Sequence, residues 1–256
     1  MEHSTTLALD NKFTVETSKT GDNVLPQLAK LKGAALDLLF PQYCVGCGKE
    51  GRFICRACHQ SLTRIVPPIC PRCGRPQPGG MLCPDCVGWH AQIEGIRSPF
   101  RFEGVMRQSI HQLKYRNLRV LATPLAELLR DYLIANPMPV EILVPVPLHQ
   151  KRLRERGYNQ SYLLARELGR LTNLPVVDDC LIRQRHTPPQ ARTATVEERK
   201  SNIADAFICQ NHRLQDKQVL LIDDVATSGT TLDAGAAALK ASGATSVWGL
   251  AMAREI

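Results

Sequence analysis

Residues 219–231 read Val-Leu-Leu-Ile-Asp-Asp-Val-Ala-Thr-Ser-Gly-Thr-Thr, and this segment holds the residues best suited to chemistry. An ionised carboxylate only accepts hydrogen bonds, so the adjacent Asp223 and Asp224 suit sugar hydroxyls. The turn Thr227-Ser228-Gly229-Thr230-Thr231 is small and hydroxyl-rich. Its free N–H groups, feeding a helix N-terminus, suit a phosphate dianion. A ribose phosphate satisfies both halves at once. To position them, the unbroken apolar run Val219–Ile222 predicts a parallel strand buried on both faces and closed by the two carboxylates. A helix is expected from Leu232 to Leu239. Loops at the carboxyl ends of such strands are where α/β folds bind ligands. A Walker B strand also ends in two acids, but its partner Gly-x-x-x-x-Gly-Lys-Ser/Thr is absent, since Gly48-Lys49 is followed by Glu50. An ordinary strand–turn–helix capped by Thr and Ser is the plainer reading; the ordered combination outweighs it.

Eight of the ten cysteines lie between residues 44 and 86, as four Cys-x-x-Cys pairs: Cys44/Cys47, Cys55/Cys58, Cys70/Cys73 and Cys83/Cys86. Two residues between ligands let one tight knuckle place both sulfurs on a tetrahedral ion, so the spacing predicts two structural Zn²⁺ sites. Gly48 and Gly74, directly after Cys47 and Cys73, relieve the turns. The sequential arrangement is 44/47/55/58 with 70/73/83/86; a crossed pairing is also open. A redox role needs one such pair before a helix, not four in series. Cys180 and Cys209 read as small buried side chains.

Net charge is +8 with neutral cysteines; eight thiolates on two Zn²⁺ change this by −8 + 4, leaving about +4. The balance fits anionic partners. No apolar run is long enough for a spanning helix, and the N-terminal residues do not read as a signal peptide, so a cytoplasmic location is expected. Residues 1–27 read as a flexible tail, 28–90 as an opening helix plus double ribbon, and 91–256 as the α/β domain. Within that domain, strands are expected at Ile93–Phe102, Glu141–Val146, Pro175–Asp178, Ala206–Cys209 and Ser246–Met252. Helices are expected at Val105–Tyr115, Leu121–Ile134 and Ser161–Leu171. After the strand ending Val146-Pro147-Leu148 comes a basic run, Lys151, Arg152, Arg154 and Arg156, the chemistry a pyrophosphate needs. Lys114, Arg116 and Arg119 read as a solvated basic edge, with a nucleic-acid role as the alternative. Ile182–Asn202 lacks any regular apolar pattern and reads as a basic lid.

The Asp223–Thr231 segment resembles the ribose-phosphate motif of type I phosphoribosyltransferases, which use phosphoribosyl pyrophosphate (PRPP). From about Leu36 onward the chain resembles the ComF/GntX family. The resemblance rests on Phe40-Pro41, the double ribbon, Pro145-Val-Pro-Leu-His149, Arg152 with Arg156-Gly-Tyr-Asn-Gln160, and Gln190, Arg199 and Asn202. It implies a type I phosphoribosyltransferase-like parallel sheet flanked by helices, behind an N-terminal double zinc ribbon. It implies PRPP with Mg²⁺ on Asp223, Asp224, Val225, Ala226, Thr227, Ser228, Gly229, Thr230 and Thr231. Pyrophosphate is expected on Val146, Pro147, Leu148, Arg152 and Arg156, under a lid bearing Arg185, Gln190, Arg199 and Asn202. It further implies single-stranded DNA handling in natural transformation, with competence helicase or recombination mediator partners; other members are linked to DNA as a nutrient or to gluconate metabolism. Purine-salvage relatives often carry Asp where this chain has Thr227, and a threonine cannot shuttle a base proton near neutral pH. A transferase and a non-catalytic DNA-binding adaptor that keeps the pocket as a ligand sensor both remain open, and no catalytic residue is assigned.

Overall fold

A computed structural model describes residues 41–184, 206–211 and 213–256; residues 43–256 form one compact unit. The tail and the opening helix expected before residue 41 lie outside the described residues.

Four cysteine knuckles come first, with a short helix α1 (Arg56–Gln60) inside them. The strands that follow are β1 (Gly95–Arg97), β2 (Phe100–Arg101), β3 (Ile142–Pro145), β4 (Leu181–Arg183), β5 (Phe207–Cys209), β6 (Gln218–Ala226) and β7 (Ser246–Arg254). The helices are α2 (Gly104–Tyr115), α3 (Ala122–Ala135), α4 (Gln150–Arg156), α5 (Gln160–Thr172) and α6 (Thr230–Ala241). The main sheet runs β1–β7–β6–β3 with β2 also on β7, and every pairing in it is parallel.

Side chains alternate across a strand, so β6 feeds two cores. Leu220 and Ile222 join Leu250, Met252 and residues of α2, α3 and α5, such as Leu113, Leu129 and Leu164. Val219 and Leu221 join Val144, Val247, Ala251 and the α6 residues Leu232 and Leu239. Both faces are covered, as an all-parallel sheet requires. Each fully buried Leu or Val contributes roughly 1.5–3 kcal/mol, so the central strand that carries the acids is firmly anchored.

Several elements depart from the sequence expectation. The expected strand at Pro175–Asp178 shrinks to a single parallel bridge between Leu143 and Val176, because Pro175 has no N–H to extend the ladder. The strand within Ala206–Cys209 does not join the main sheet; β5 pairs antiparallel with β4. The basic run, for which no regular element was expected, winds into α4. His149 caps it by accepting the Lys151 N–H, and Gly157 ends it in the left-handed region. Arginine, lysine, glutamine and leucine are good helix formers, so a dense charge run still winds.

Candidate functional site

The eight clustered cysteines fall into the sequential sets 44/47/55/58 and 70/73/83/86, with all four sulfurs of each set within 4.8 Å of one another. Cys47 and Cys55 Sγ are 3.7 Å apart, as are Cys73 and Cys83 Sγ. A tetrahedron of Zn–S bonds of about 2.3 Å has an edge of about 3.8 Å, so both sets fit structural zinc. The Cys55 and Cys83 N–H groups donate to Cys44 and Cys70 Sγ, an outer shell that orients the ligands. Gly74 sits at φ +74°, and a Cβ there would lie 2.3 Å from the Ile96 carbonyl oxygen, so the second knuckle can approach β1 only as glycine.

That knuckle is stitched to the sheet. The Ile96 N–H donates to the Arg72 carbonyl at 2.7 Å, and Arg97 Nη1 donates to the Pro71 carbonyl. The segment after the ribbon returns over α6, where Asp233 Oδ1 accepts the Gln92 and Ile93 N–H groups at 2.7 and 3.0 Å. Trp89 and Ile96 thereby stand against the phosphate-type loop. Gly229, at φ +87°, faces them, and a Cβ there would lie 2.6 Å from Ile96 Cδ1.

The carboxylates do not close β6. The strand runs on through Val225 to Ala226, paired with β7 as far as Arg254, and only Thr227-Ser228-Gly229 separates it from α6. Ser228 and Thr230 hydroxyls bond each other at 2.9 Å. Being adjacent on a strand, Asp223 and Asp224 point to opposite sides. Asp223 Oδ1 accepts from Ser161 Oγ at 3.0 Å and from the Asp224 N–H. Burial, and then the neighbouring Asp224 charge, push the Asp223 carboxyl up to about 7. Asp224 is 3 % exposed. Its Oδ1 pairs with Lys114 Nζ at 2.8 Å, and its Oδ2 has no partner. The sequence pattern placed Lys114 on a solvated edge; instead it lies near the end of α2 against the acids, a pairing no local pattern reveals.

Around the predicted pyrophosphate loop, Val146 is buried and its N–H donates to the Ile222 carbonyl, with Pro147 and Leu148 leading into α4. The Arg-Gly-Tyr-Asn-Gln motif positions this loop. Asn159 caps α5 and donates from Nδ2 to the Val146 carbonyl at 3.0 Å, and the buried Tyr158 hydroxyl donates to the Leu113 carbonyl. Arg156 donates to Gln160 and lies over the Tyr115 ring at 5.2 Å. Lys114, Tyr115, Asn117, Arg152, Arg156 and Tyr158 line an open groove of about 760 Å³. Arg183, expected within the patternless lid, is the last residue of β4. It feels both Arg152 and Asp223, and its pKa is drawn down first by burial and then by Arg152. Arg185, Gln190, Arg199 and Asn202 lie outside the described residues. The chain on either side of them is joined by the β4–β5 pairing and by the Gln184 N–H donating to the Ala206 carbonyl.

Comparison with known proteins agrees with this fold. Residues 35–87 match the double zinc ribbon domain and residues 155–251 the phosphoribosyl transferase domain. Competence protein ComFC of Bacillus subtilis is 29% identical over 191 residues, 72% of this chain and 76% of the relative. Competence protein F of Haemophilus influenzae is 29% identical over 210 residues, 78% and 90% of the two chains. DNA utilization protein YhgH of Salmonella typhi is 30% identical over 201 residues, 76% and 87%. Fold and site thus define a phosphoribosyltransferase-like domain joined to a double zinc ribbon. Within that class the chain belongs to the ComF family. Among the described residues no helix is long and apolar enough to cross a membrane.

Proposed function

We propose that the protein binds PRPP together with Mg²⁺ in the cytoplasm and acts on or with single-stranded DNA during DNA uptake or use. The observation that carries the ligand reading is the Asp224 carboxylate, which is buried beside the phosphate-type loop with one oxygen on Lys114 and the other unpartnered. An orphaned buried carboxylate oxygen is costly, and a ribose hydroxyl donor satisfies it. Mg²⁺ is usually bound through one or two carboxylates plus substrate phosphates; Asp224, with its unpartnered oxygen, would supply one such carboxylate, and the metal would neutralise pyrophosphate charge. Ser161 and the Asp224 N–H hold Asp223 in place. Arg152 and Asp223 both act on Arg183, and the two arginines favour the pyrophosphate side.

Calorimetry with PRPP and Mg²⁺ tests this. Asp223→Asn combined with Asp224→Asn should weaken binding at least about tenfold, the loss of one or more hydrogen bonds to a charged group, while the melting transition stays cooperative. Wild-type affinity in that double variant would refute the assignment. Gly229→Asp is a poorer probe, since any Cβ there meets Ile96 and Trp89.

The adaptor reading draws on the groove of Lys114, Tyr115, Arg152 and Arg156, in which cations and an exposed ring lie side by side, as in sites that track a single strand. Replacing Lys151, Arg152, Arg154 and Arg156 by Ala should lower the affinity for single-stranded DNA. It should also flatten the slope of log K against log salt, by about 0.7 for each phosphate that is no longer neutralised. An unchanged slope would put the DNA elsewhere on the surface. Partners such as a competence helicase or recombination mediator follow the same reading.

A further inference from the structure

Lys114, the penultimate residue of α2, belongs to two places at once. Its Nζ pairs with Asp224 Oδ1 at 2.8 Å, and its side chain also lines the open groove shared with Arg152 and Arg156. The backbone beneath it is held. Leu113 is fully buried, and its carbonyl accepts the Tyr158 hydroxyl. Movement here therefore belongs to the side chain, a flexible four-carbon stem ending in a point charge.

Asp224 is buried, and its Oδ2 has no partner. An ionised carboxylate has about four acceptor positions, so one ammonium leaves it under-used. A buried ion pair kept for stability alone needs its remaining lone pairs satisfied by further hydrogen bonds. The open oxygen points to a second occupant, and a hard divalent cation suits a carboxylate. Yet the single charge of Asp224 is already balanced by Lys114, and Arg183, which feels both Asp223 and Arg152, adds positive charge nearby. Like charges repel strongly in a site this dry, so a metal ion that arrives alone meets a field set against it. A metal that arrives with a polyanion does not. The polyanion brings the acceptors that a displaced ammonium needs, and the groove of Arg152 and Arg156 is the open side to which Lys114 can turn.

We infer that Lys114 is an internal stand-in for the divalent cation. It keeps a lone metal off Asp224 and yields only to metal that enters with a polyanion, which then takes the ammonium over in the groove. Lys114 is thus a positioning residue that acts through Asp224 and orders the entry of metal and ligand. PRPP as the polyanion rests on the PRPP reading; the competition between Lys114 and a metal does not.

Binding of Mn²⁺ to the zinc-loaded full chain, read from the electron spin resonance of the free ion, tests the inference. Thiolate sites favour zinc over Mn²⁺, so the ribbon does not interfere. Without PRPP the wild type should bind Mn²⁺ weakly. Lys114→Met should bind it at least about tenfold tighter, since Asp224 then lacks the charged hydrogen-bond partner with which the metal competes. Lys114→Arg should exclude the metal as the wild type does, and adding Asp224→Asn to Lys114→Met should erase the gain. A residue that only holds the fold would not improve metal binding when removed. Unchanged Mn²⁺ affinity in Lys114→Met, or a gain that survives Asp224→Asn, would overturn the inference. If Lys114→Met does not fold, Lys114→Gln, which keeps a neutral donor for Asp224, carries the same comparison. PRPP is then added to the same preparations. A metal gain in Lys114→Met with no PRPP binding by any protein would sink the PRPP reading and leave the stand-in role; PRPP binding by the wild type without that gain would do the opposite.

Discussion

Removing zinc is expected to abolish cooperative folding of residues 43–90 and to weaken the ligand site as well, which a detachable ribbon would not do. Structural zinc contributes about 10–16 kcal/mol of apparent binding free energy per site, and that energy is folding energy. The two clusters should differ in their consequences. Cys47 of the first is exposed, whereas all four ligands of the second are buried. The second also holds Arg72 against Ile96 and leads to Trp89, which backs Gly229. Cys47→Ser should therefore loosen mainly the first knuckle, and Cys70→Ser should in addition lower PRPP affinity. Zinc content, thermal melting and calorimetry on the two variants check this. Full PRPP affinity in a Cys70→Ser protein that has lost one zinc would show that the loop stands without its backing.

Lys114→Ala is expected to cost about 3–5 kcal/mol in urea melts, the range for stripping one partner from a buried ion pair. The Lys114 and Asp224 side chains are 20% and 4% exposed, so the stranded carboxylate has little access to water. The substitution also removes a cation that favours the ionised Asp223 carboxyl. Lys114→Met with Asp224→Leu should recover most of the stability, because exchanging both members for apolar groups removes the desolvation cost along with the attraction. A Lys114→Ala cost below about 1 kcal/mol would mean that the pair behaves like an exposed one.

How much of this was legible follows from the range of each signal. The Asp-Asp and Thr-Ser-Gly-Thr-Thr segment announced itself, because chemistry, strand and turn lie within thirteen consecutive residues. Cysteine spacing predicted two zinc sites, and the structure resolves the pairing as sequential. The interactions that complete the site join distant parts of the chain. Lys114 reaches Asp224 across 110 positions, from 114 to 224, and nothing around Lys114 differs from a solvated helix end. Arg254 lies beyond the strand expected at Ser246–Met252; the structure carries β7 on to it and buries it. Leu181–Arg183 and Phe207–Cys209 are too short for periodicity to name their partners, and their antiparallel pairing had to be seen.

The approach of Gly74 to the Ile96 carbonyl has a practical meaning for anyone dividing this chain. A fragment starting at residue 91 would keep β1 but lose the Arg72 carbonyl that occupies its Ile96 N–H. It would also lose the Thr63 carbonyl that takes the Arg101 N–H of β2. An uncapped apolar strand at the border of a sheet is a template for self-association, so the ribbon also serves as the cover that keeps this edge from finding another copy of itself.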